Sequence, residues 1–349
     1  MKRIVLIGLI IASIHLGKSY ACSTFFLEKN GQMVFGKNYD WMTGTGMINT
    51  NLRGLNKSSL PIDGGAIIKW KSKYGSTTFN QFGKEFPNGG MNEKGLVIEL
   101  MWLSDSEFPD KDKRPGLSVL QWIQYQLDNC SSVEDVIASD KIVRIVSLGA
   151  PQHYLVADAK GAVATIEFIN GKMVVHRSST LPFPALTNNT YESSLYSLKS
   201  NTSKKNNSLE RFSNVCKMWQ QYKQTNIEKP IVAYAFDMLK KASQKDFTQW
   251  SIVYDITNKT IYFKTASNPL QRSIAIGSFK YEPTTVPLAY SLNDKSAGVI
   301  NHKFIAYTDQ QNRSSLFSAF KESAERISVQ IGLQKAIADF ANSIKQLKM

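Results

Sequence analysis

Sulfur and histidine are scarce in this chain. Its 349 residues include three cysteines, at 22, 130 and 216, and four histidines, at 15, 153, 176 and 302. Three thiols are too few for a disulfide framework, and the odd number leaves one over if the other two pair. A bond between Cys130 and Cys216 stays open, because sequence spacing says nothing about distance. The histidines follow no metal-ligand spacing, so no metal is expected. Acidic residues are outnumbered 28 to 42, giving a formal charge of +14. The surplus is spread as single lysines and never gathers into a basic face interleaved with aromatics, which argues against nucleic-acid binding. Beyond residue 16 no window approaches the ~18 to 20 apolar residues of a membrane helix, so no integral membrane segment is expected. A 42% hydrophobic and 11% aromatic composition does provide for a large folded core.

The N-terminus reads as a targeting signal over residues 1–21. Lys2 and Arg3 precede an apolar stretch, residues 4–16, and Ser19-Tyr20-Ala21 then sets small residues at both positions that a signal peptidase reads. Cleavage is expected between Ala21 and Cys22. It would remove Lys2, Arg3 and Lys18, lower the charge from +14 to +11, and deliver an exported protein, periplasmic or secreted. A cysteine directly after a leader is also a site of lipid attachment. Bulky Tyr20, and Ser19 where such sites usually carry Leu, fit that reading poorly, but it stays open.

Patterning along the remainder is mixed α and β. Residues 23–27 and 33–36 flank Asn30-Gly31, a strong hairpin signal, so the mature terminus begins as a strand that turns straight back. Further strands are expected at 66–70, 96–102, 153–157, 162–168, 172–176, 251–256, 260–265 and 273–279. Helices are expected at 117–128, after a capping box of Ser132 with Asp135, at 209–222 and at 231–242. Residues 201–208 read as an exposed loop, 281–301 as a connector, and 314–347 as two helices packed on the body or on a partner subunit. One domain over 22–349 accommodates these elements.

Chemistry converges on Cys22. As the first residue it would carry its own general base, since an α-amine with an unperturbed pKa of ~7.7 to 8 can take the thiol proton directly or through water. A carboxylate near that amine would fix and tune it, and the hairpin returns Asp40 to the neighbourhood of residue 22.

Six blocks then carry a resemblance. Cys22-Ser23-Thr24-Phe25, Phe35-Gly36-Lys37-Asn38-Tyr39-Asp40-Trp41, Gly90-Met91-Asn92-Glu93-Lys94-Gly95-Leu96, Leu186-Thr187-Asn188-Asn189, Ser208-Leu209-Glu210-Arg211-Phe212 and Trp250-Ser251-Ile252-Val253-Tyr254-Asp255 stand in one order. Over residues 22–280 the chain resembles the penicillin V acylase and conjugated bile salt hydrolase (choloylglycine hydrolase) family. The resemblance implies the four-layer αββα sandwich of N-terminal-nucleophile hydrolases, an α+β fold with two antiparallel sheets. It makes Cys22 the nucleophile, Asp40 the acid that holds its amine, Asn188 and the Trp102 backbone N–H the oxyanion donors, and Arg211 the cation near the thiol. Taken singly, Asp40 reads equally as a turn residue, Asn188 as a loop cap, Arg211 as an exposed helix charge and Trp102 as core; their joint order favours the functional roles.

Lys37 stands where many members carry arginine, which replaces a planar fork by a point charge. Trp102, where asparagine or tyrosine is usual, suggests with Trp41 an aromatic, apolar acyl pocket. The resemblance thus implies a cofactor-free amidohydrolase acting on an N-acylated small molecule with a hydrophobic acyl group: penicillin V, an N-acyl homoserine lactone or a conjugated bile salt. The leader and the tryptophans point to the envelope branch, which favours the first two. The family often forms homotetramers. A lipid-anchored binding protein on the same fold, and an acyltransferase or ceramidase-like lipid amidase, are the alternatives that the residues leave open.

Overall fold

The computed structural model describes residues 22–346 other than 63, 148, 149, 204, 205 and 226. The expected leader, parts of the expected 201–208 loop and the last residue of the 314–347 segment lie outside the described residues.

Ser23–Lys29 and Gln32–Asp40 form the expected hairpin, with Asn30 at φ 52° and Gly31 at φ 78°. Two consecutive positive φ values are what a two-residue turn matching the strand twist requires, and Asn-Gly supplies them at low cost. Thr248–Asp255 pairs with the free edge of the second strand, and Thr260–Thr265, Asn268–Ala275 and Gly298–Val299 follow outward. Ala185–Leu186 pairs with the other edge of Ser23–Lys29, completing a seven-stranded sheet. The N-terminal strand thereby lies inside a sheet.

The second sheet has nine antiparallel strands, in the order Lys172–Arg177, Val163–Ile169, Gln152–Ala157, Val97–Trp102, Gly89–Asn92, Ser76–Asn80, Met47–Asn51, Leu288–Ser291 and Ile305–Ala306. Helices α1 (Val119–Asn129) and α2 (Val133–Ala138) cover its outer face. Beyond α3 (Tyr191–Lys199), helices α4 (Asn207–Gln224) and α5 (Ile231–Lys241) cover the outer face of the first sheet. Alternation along one strand shows the layering: Leu96, Ile98 and Leu100 pack with Trp122 and Ile123 of α1, whereas Val97 and Met101 join the core between the sheets. The result is the αββα sandwich. Helices α6 (Asp309–Glu322) and α7 (Ile331–Gln346) close one end as a hairpin. Among the described residues no helix is long and apolar enough to cross a membrane.

Departures from the sequence reading have physical reasons. Met47–Asn51, Ser76–Asn80 and Gly89–Asn92 are fully buried strands with little hydrophobic signal. Their polar side chains satisfy one another instead: Asn51 Nδ2 donates to Ser76 Oγ at 3.1 Å and to Thr78 Oγ1 at 2.9 Å. The expected connector 281–301 contains the short strands Leu288–Ser291 and Gly298–Val299, the latter at a sheet edge, and the strand expected at 273–279 runs over Asn268–Ala275. That expected at 66–70 is confined to Lys69–Lys71, paired with Asn56–Ser58. Helix α3 was hidden because its buried face is Tyr191, Ser194 and Ser197. The Ser132 and Asp135 capping box forms reciprocally, at 3.2 and 3.1 Å.

All three cysteines are free and buried. Cys130 belongs to the core under α1 and α2 and Cys216 to the core under α4, so the open pairing does not form. Burial pushes the Cys130 thiol up to about 12 and that of Cys216 up as well, which leaves both inert.

Gly89 permits the closest approach across the second sheet. A Cβ there would lie 2.1 Å from the Glu99 carboxyl carbon, while one at Gly277 meets nothing within 4 Å. Gly89→Ala should therefore destabilise the protein by roughly 1–3 kcal/mol and Gly277→Ala should not, as read from denaturant midpoints; equal midpoints would refute the close contact.

Candidate active site

Pairing of Ser23 with Asn38 sets Cys22 beside Tyr39 and Asp40. The Cys22 thiol is 5% exposed, on the wall of an apolar cavity of about 100 Å³ that Asp40, Trp41 and Trp102 also line. Burial raises its pKa, and the Lys37 charge, the Asp40 backbone N–H and Arg211 pull the other way; the Asp40 carboxylate adds to the rise. No cation pulls down the buried Cys216 thiol, and at Cys130 only Lys73 does, opposed by Asp135. Two cations facing a buried thiol is the condition for stabilising a thiolate there.

Arg211, on α4, is buried and spans the site. Its Nη1 donates to the Cys22 carbonyl oxygen at 2.7 Å and to Ser23 Oγ at 2.5 Å, its Nη2 to Asn188 Oδ1 at 3.1 Å, and its Nε to Asn207 Oδ1 at 3.0 Å. Asn188 in turn donates from Nδ2 to the Trp102 carbonyl at 2.6 Å, while its own N–H is taken by Ser208 Oγ at 2.9 Å. The four residues thus form a chain from Cys22 to the end of the Val97–Trp102 strand. There Leu100 N donates to Asn88 O at 3.3 Å and Leu103 N donates the opposite way, to Pro151 O. Strand alternation puts the Trp102 N–H on the Leu100 side, past Asn88, which itself lines the cavity.

Asp40 is held by two groups that its local sequence does not reveal. Thr248 Oγ1 donates to Oδ1 at 2.5 Å and Gln244 Nε2 to Oδ2 at 3.2 Å. Thr248 pairs with Asp40 across the sheet, and a bulge before Trp250 re-aims it. Burial raises the Asp40 pKa; Arg211, these two hydrogen bonds and Lys37 oppose the rise.

Lys37 lies behind the cavity wall rather than in it. Its ammonium donates to the Leu100 carbonyl and stands 3.8 Å from Glu99 Oε2. Tyr254 donates to Glu99 Oε1 at 2.5 Å. Even so, burial pushes Glu99 up to about 7. Trp41 and Trp102 do face the cavity, with ring centroids 6.3 Å apart. Tyr39 stacks on Trp250 at 4.4 Å and donates to Gln81 Oε1 at 2.6 Å. Glu99 had one signal in the sequence, a lone carboxylate inside the apolar run 97–101; Thr248 and Gln244 had none. Among the described residues no group of His, Cys, Asp or Glu could hold a metal.

A four-layer sandwich with a cysteine immediately before the first strand, on the wall of a cavity, is the arrangement of N-terminal-nucleophile hydrolase folds. The chain belongs to the linear amide C–N hydrolases of the choloylglycine hydrolase family, whose model matches residues 22–214. A penicillin V acylase of Pectobacterium atrosepticum is 32% identical over 204 residues, 52% of this chain and 53% of that protein, so the match spans about half of that relative. The solved penicillin V acylase of Agrobacterium tumefaciens superposes with a TM-score of 0.70 at 26% identity, over 82% of this chain and 98% of that one. A conjugated bile acid hydrolase variant from Clostridium perfringens gives 0.65 at 17% identity, over 80% and 99%, a likeness of fold alone.

The elevated Glu99 has a measurable consequence. A carboxyl with a folded pKa of about 7 against an unfolded value near 4.5 holds its proton more tightly when folded. Its contribution to stability is therefore complete below about pH 4.5 and is lost as pH rises through about 7. The wild-type melting temperature should fall between about pH 5 and pH 7.5, and Glu99→Gln should flatten that part of the slope. An unchanged slope in the variant would show that Glu99 titrates normally.

Proposed function

We propose that the protein is an exported amidohydrolase, freed of its leader before Cys22, that cleaves the linear amide bond of an N-acylated small molecule with a hydrophobic acyl group. The observation that carries this reading is the placement of the Cys22 thiol, faced by Lys37 and Arg211, on the wall of an apolar cavity with Asp40 beside it. Family membership and the likeness to the two acylases support it.

In this mechanism the freed α-amine of Cys22 takes the thiol proton and the sulfur attacks the acyl carbonyl carbon, forming the C–S bond. The negative oxygen that develops is met by the Asn188 amide and the Trp102 N–H; in the structure the Asn188 amide also donates to the Trp102 carbonyl. Such a donor typically contributes ~3 to 4 kcal/mol to the transition state. The C–N bond breaks as the α-ammonium gives its proton to the leaving amine. Water, deprotonated by the same α-amine, then hydrolyses the thioester, releasing the carboxylic acid and restoring the thiol. Asp40, fixed by Thr248 and Gln244, anchors the amine.

Steady-state assays on penicillin V, N-acyl homoserine lactones and glycine-conjugated bile salts test the reading. Cys22→Ala should abolish turnover, Asp40→Asn should lower kcat by ~10²-fold or more, and Asn188→Ala by ~10²- to 10³-fold with KM little changed. Retained turnover in Cys22→Ala would place the reaction elsewhere, and acyl transfer to added amines in preference to water would mark a transferase. Intact-mass analysis of exported material should find an unmodified Cys22 as first residue; a lipid adduct there would eliminate the terminal amine as base.

A further inference from the structure

The cavity draws its lining from distant parts of the chain. Cys22 and Asp40 come from the first hairpin, whereas Phe320 of α6, Ile327 and Val329 of the link between α6 and α7, and Leu333 and Ile337 of α7 line the same cavity. These five side chains lie more than 100 positions beyond the stretch that the family model matches, residues 22–214. Along the link the exposure alternates: Ile327 and Val329 are half-buried, Ser328 and Gln330 exposed. An extended strip with every second side chain turned inward forms a wall of two branched aliphatics over the cavity.

This strip is tied to the tryptophans at the cavity mouth. Ser323 Oγ accepts from Trp41 Nε1 at 2.8 Å, and the Arg326 guanidinium lies 4.5 Å from the centre of the Trp102 ring. Glu322 accepts from the Thr43 hydroxyl and from that of Thr45, the latter at 2.9 Å. Phe320 packs on Phe82 at 4.9 Å and Phe340 on Phe86 at 5.4 Å, and Arg313 bridges Asp309 and Asp339 to join the two helices. A hydrogen bond to one tryptophan and a cation–π contact with the other hold the strip against the cavity.

The volume within these walls then limits what they can hold. A cavity of about 100 Å³ is smaller than the ~150 Å³ apolar cavity that takes up benzene, so a flat ring or short alkyl group approaches its capacity and a long chain exceeds it. We propose that the strip of Ile327 and Val329, with Leu333, is the specificity-determining wall that ends the acyl site, restricting it to compact aryl-acetyl and short alkanoyl groups. The inference rests on the amidohydrolase reading for its consequence in catalysis, but the wall itself can be tested without turnover.

Calorimetric titration of the full-length processed protein carrying Cys22→Ala, with phenoxyacetate, hexanoate and dodecanoate as probes, measures the wall directly. Phenoxyacetate and hexanoate should bind more tightly than dodecanoate. Adding Ile327→Ala and Val329→Ala should improve dodecanoate by ~10-fold or more relative to hexanoate, the scale on which a hydrophobic pocket discriminates single methylenes. Val329→Trp should act in the opposite sense, weakening phenoxyacetate by ~10-fold or more. An unchanged ratio of dodecanoate to hexanoate affinity in the double variant, phenoxyacetate binding unaffected by Val329→Trp, or dodecanoate bound best before any change, would overturn the proposal. Should the acids follow this pattern while enzyme with Cys22 intact turns over no amide, the wall stands and the amidohydrolase reading falls.

Discussion

Arg211 is buried, so its guanidinium must be answered by oxygens within reach, and those it finds belong to Cys22, Ser23, Asn188 and Asn207. A planar fork with five donors fixes its partners in direction as well as distance. One bond holds the Cys22 carbonyl, another orients the Asn188 amide, and Asn188 reaches the Trp102 carbonyl. The geometry of thiol, amide and strand end therefore depends on a single cation, and removing it would leave several buried acceptors without a donor. Lys37 could not take this place: its ammonium, a point charge, is already engaged with Leu100 and Glu99.

Burial sets opposing demands on the same centre. The cavity is apolar, yet the same burial penalises the thiolate on Cys22 that the proposed reaction would require. In the described chain desolvation wins, and the Cys22 pKa is raised despite Lys37 and Arg211. Cations behind the wall reduce that penalty without making the cavity polar. Glu99 answers Lys37 from the opposite sheet, and because its own pKa is driven up to about 7, it neutralises Lys37 only in part near neutrality. A fully ionised partner would cancel more of the field that Lys37 places on Cys22.

How much of this was legible depended on whether the signal was local. Asn30-Gly31 specified the turn, and with it the return of Asp40 to Cys22, because two positive φ values leave few other choices. The short apolar run of Val97–Trp102 was equally plain. Thr248 and Gln244 reach Asp40 only through a strand pairing made 208 and 204 positions away, and no local pattern encodes which distant strand docks where. The buried strands Met47–Asn51 and Ser76–Asn80 escaped for a different reason: their interior polar groups bond to one another, so burial there leaves little hydrophobic trace.

The same distinction explains why the sequence offered an aromatic pocket but no dimension for it. Trp41 and Trp102 announce apolar character by residue type, whereas the size of a cavity is the distance between walls contributed by separate segments. Here the lining joins Cys22 and residues 39–41 to a helical hairpin near the opposite end of the chain, attached through Ser323 and Arg326 to the two tryptophans themselves. A helical face read from periodicity shows only that it must be covered. What covers α6 and α7 is partly the body of the sandwich, through Phe82 and Phe86, and partly the empty space in which an acyl group would lie. Apolar side chains that line a cavity give the same hydropathy signal as those packed into a core, so the link between α6 and α7 could be assigned to the site only once its distance from Cys22 was bounded by the fold.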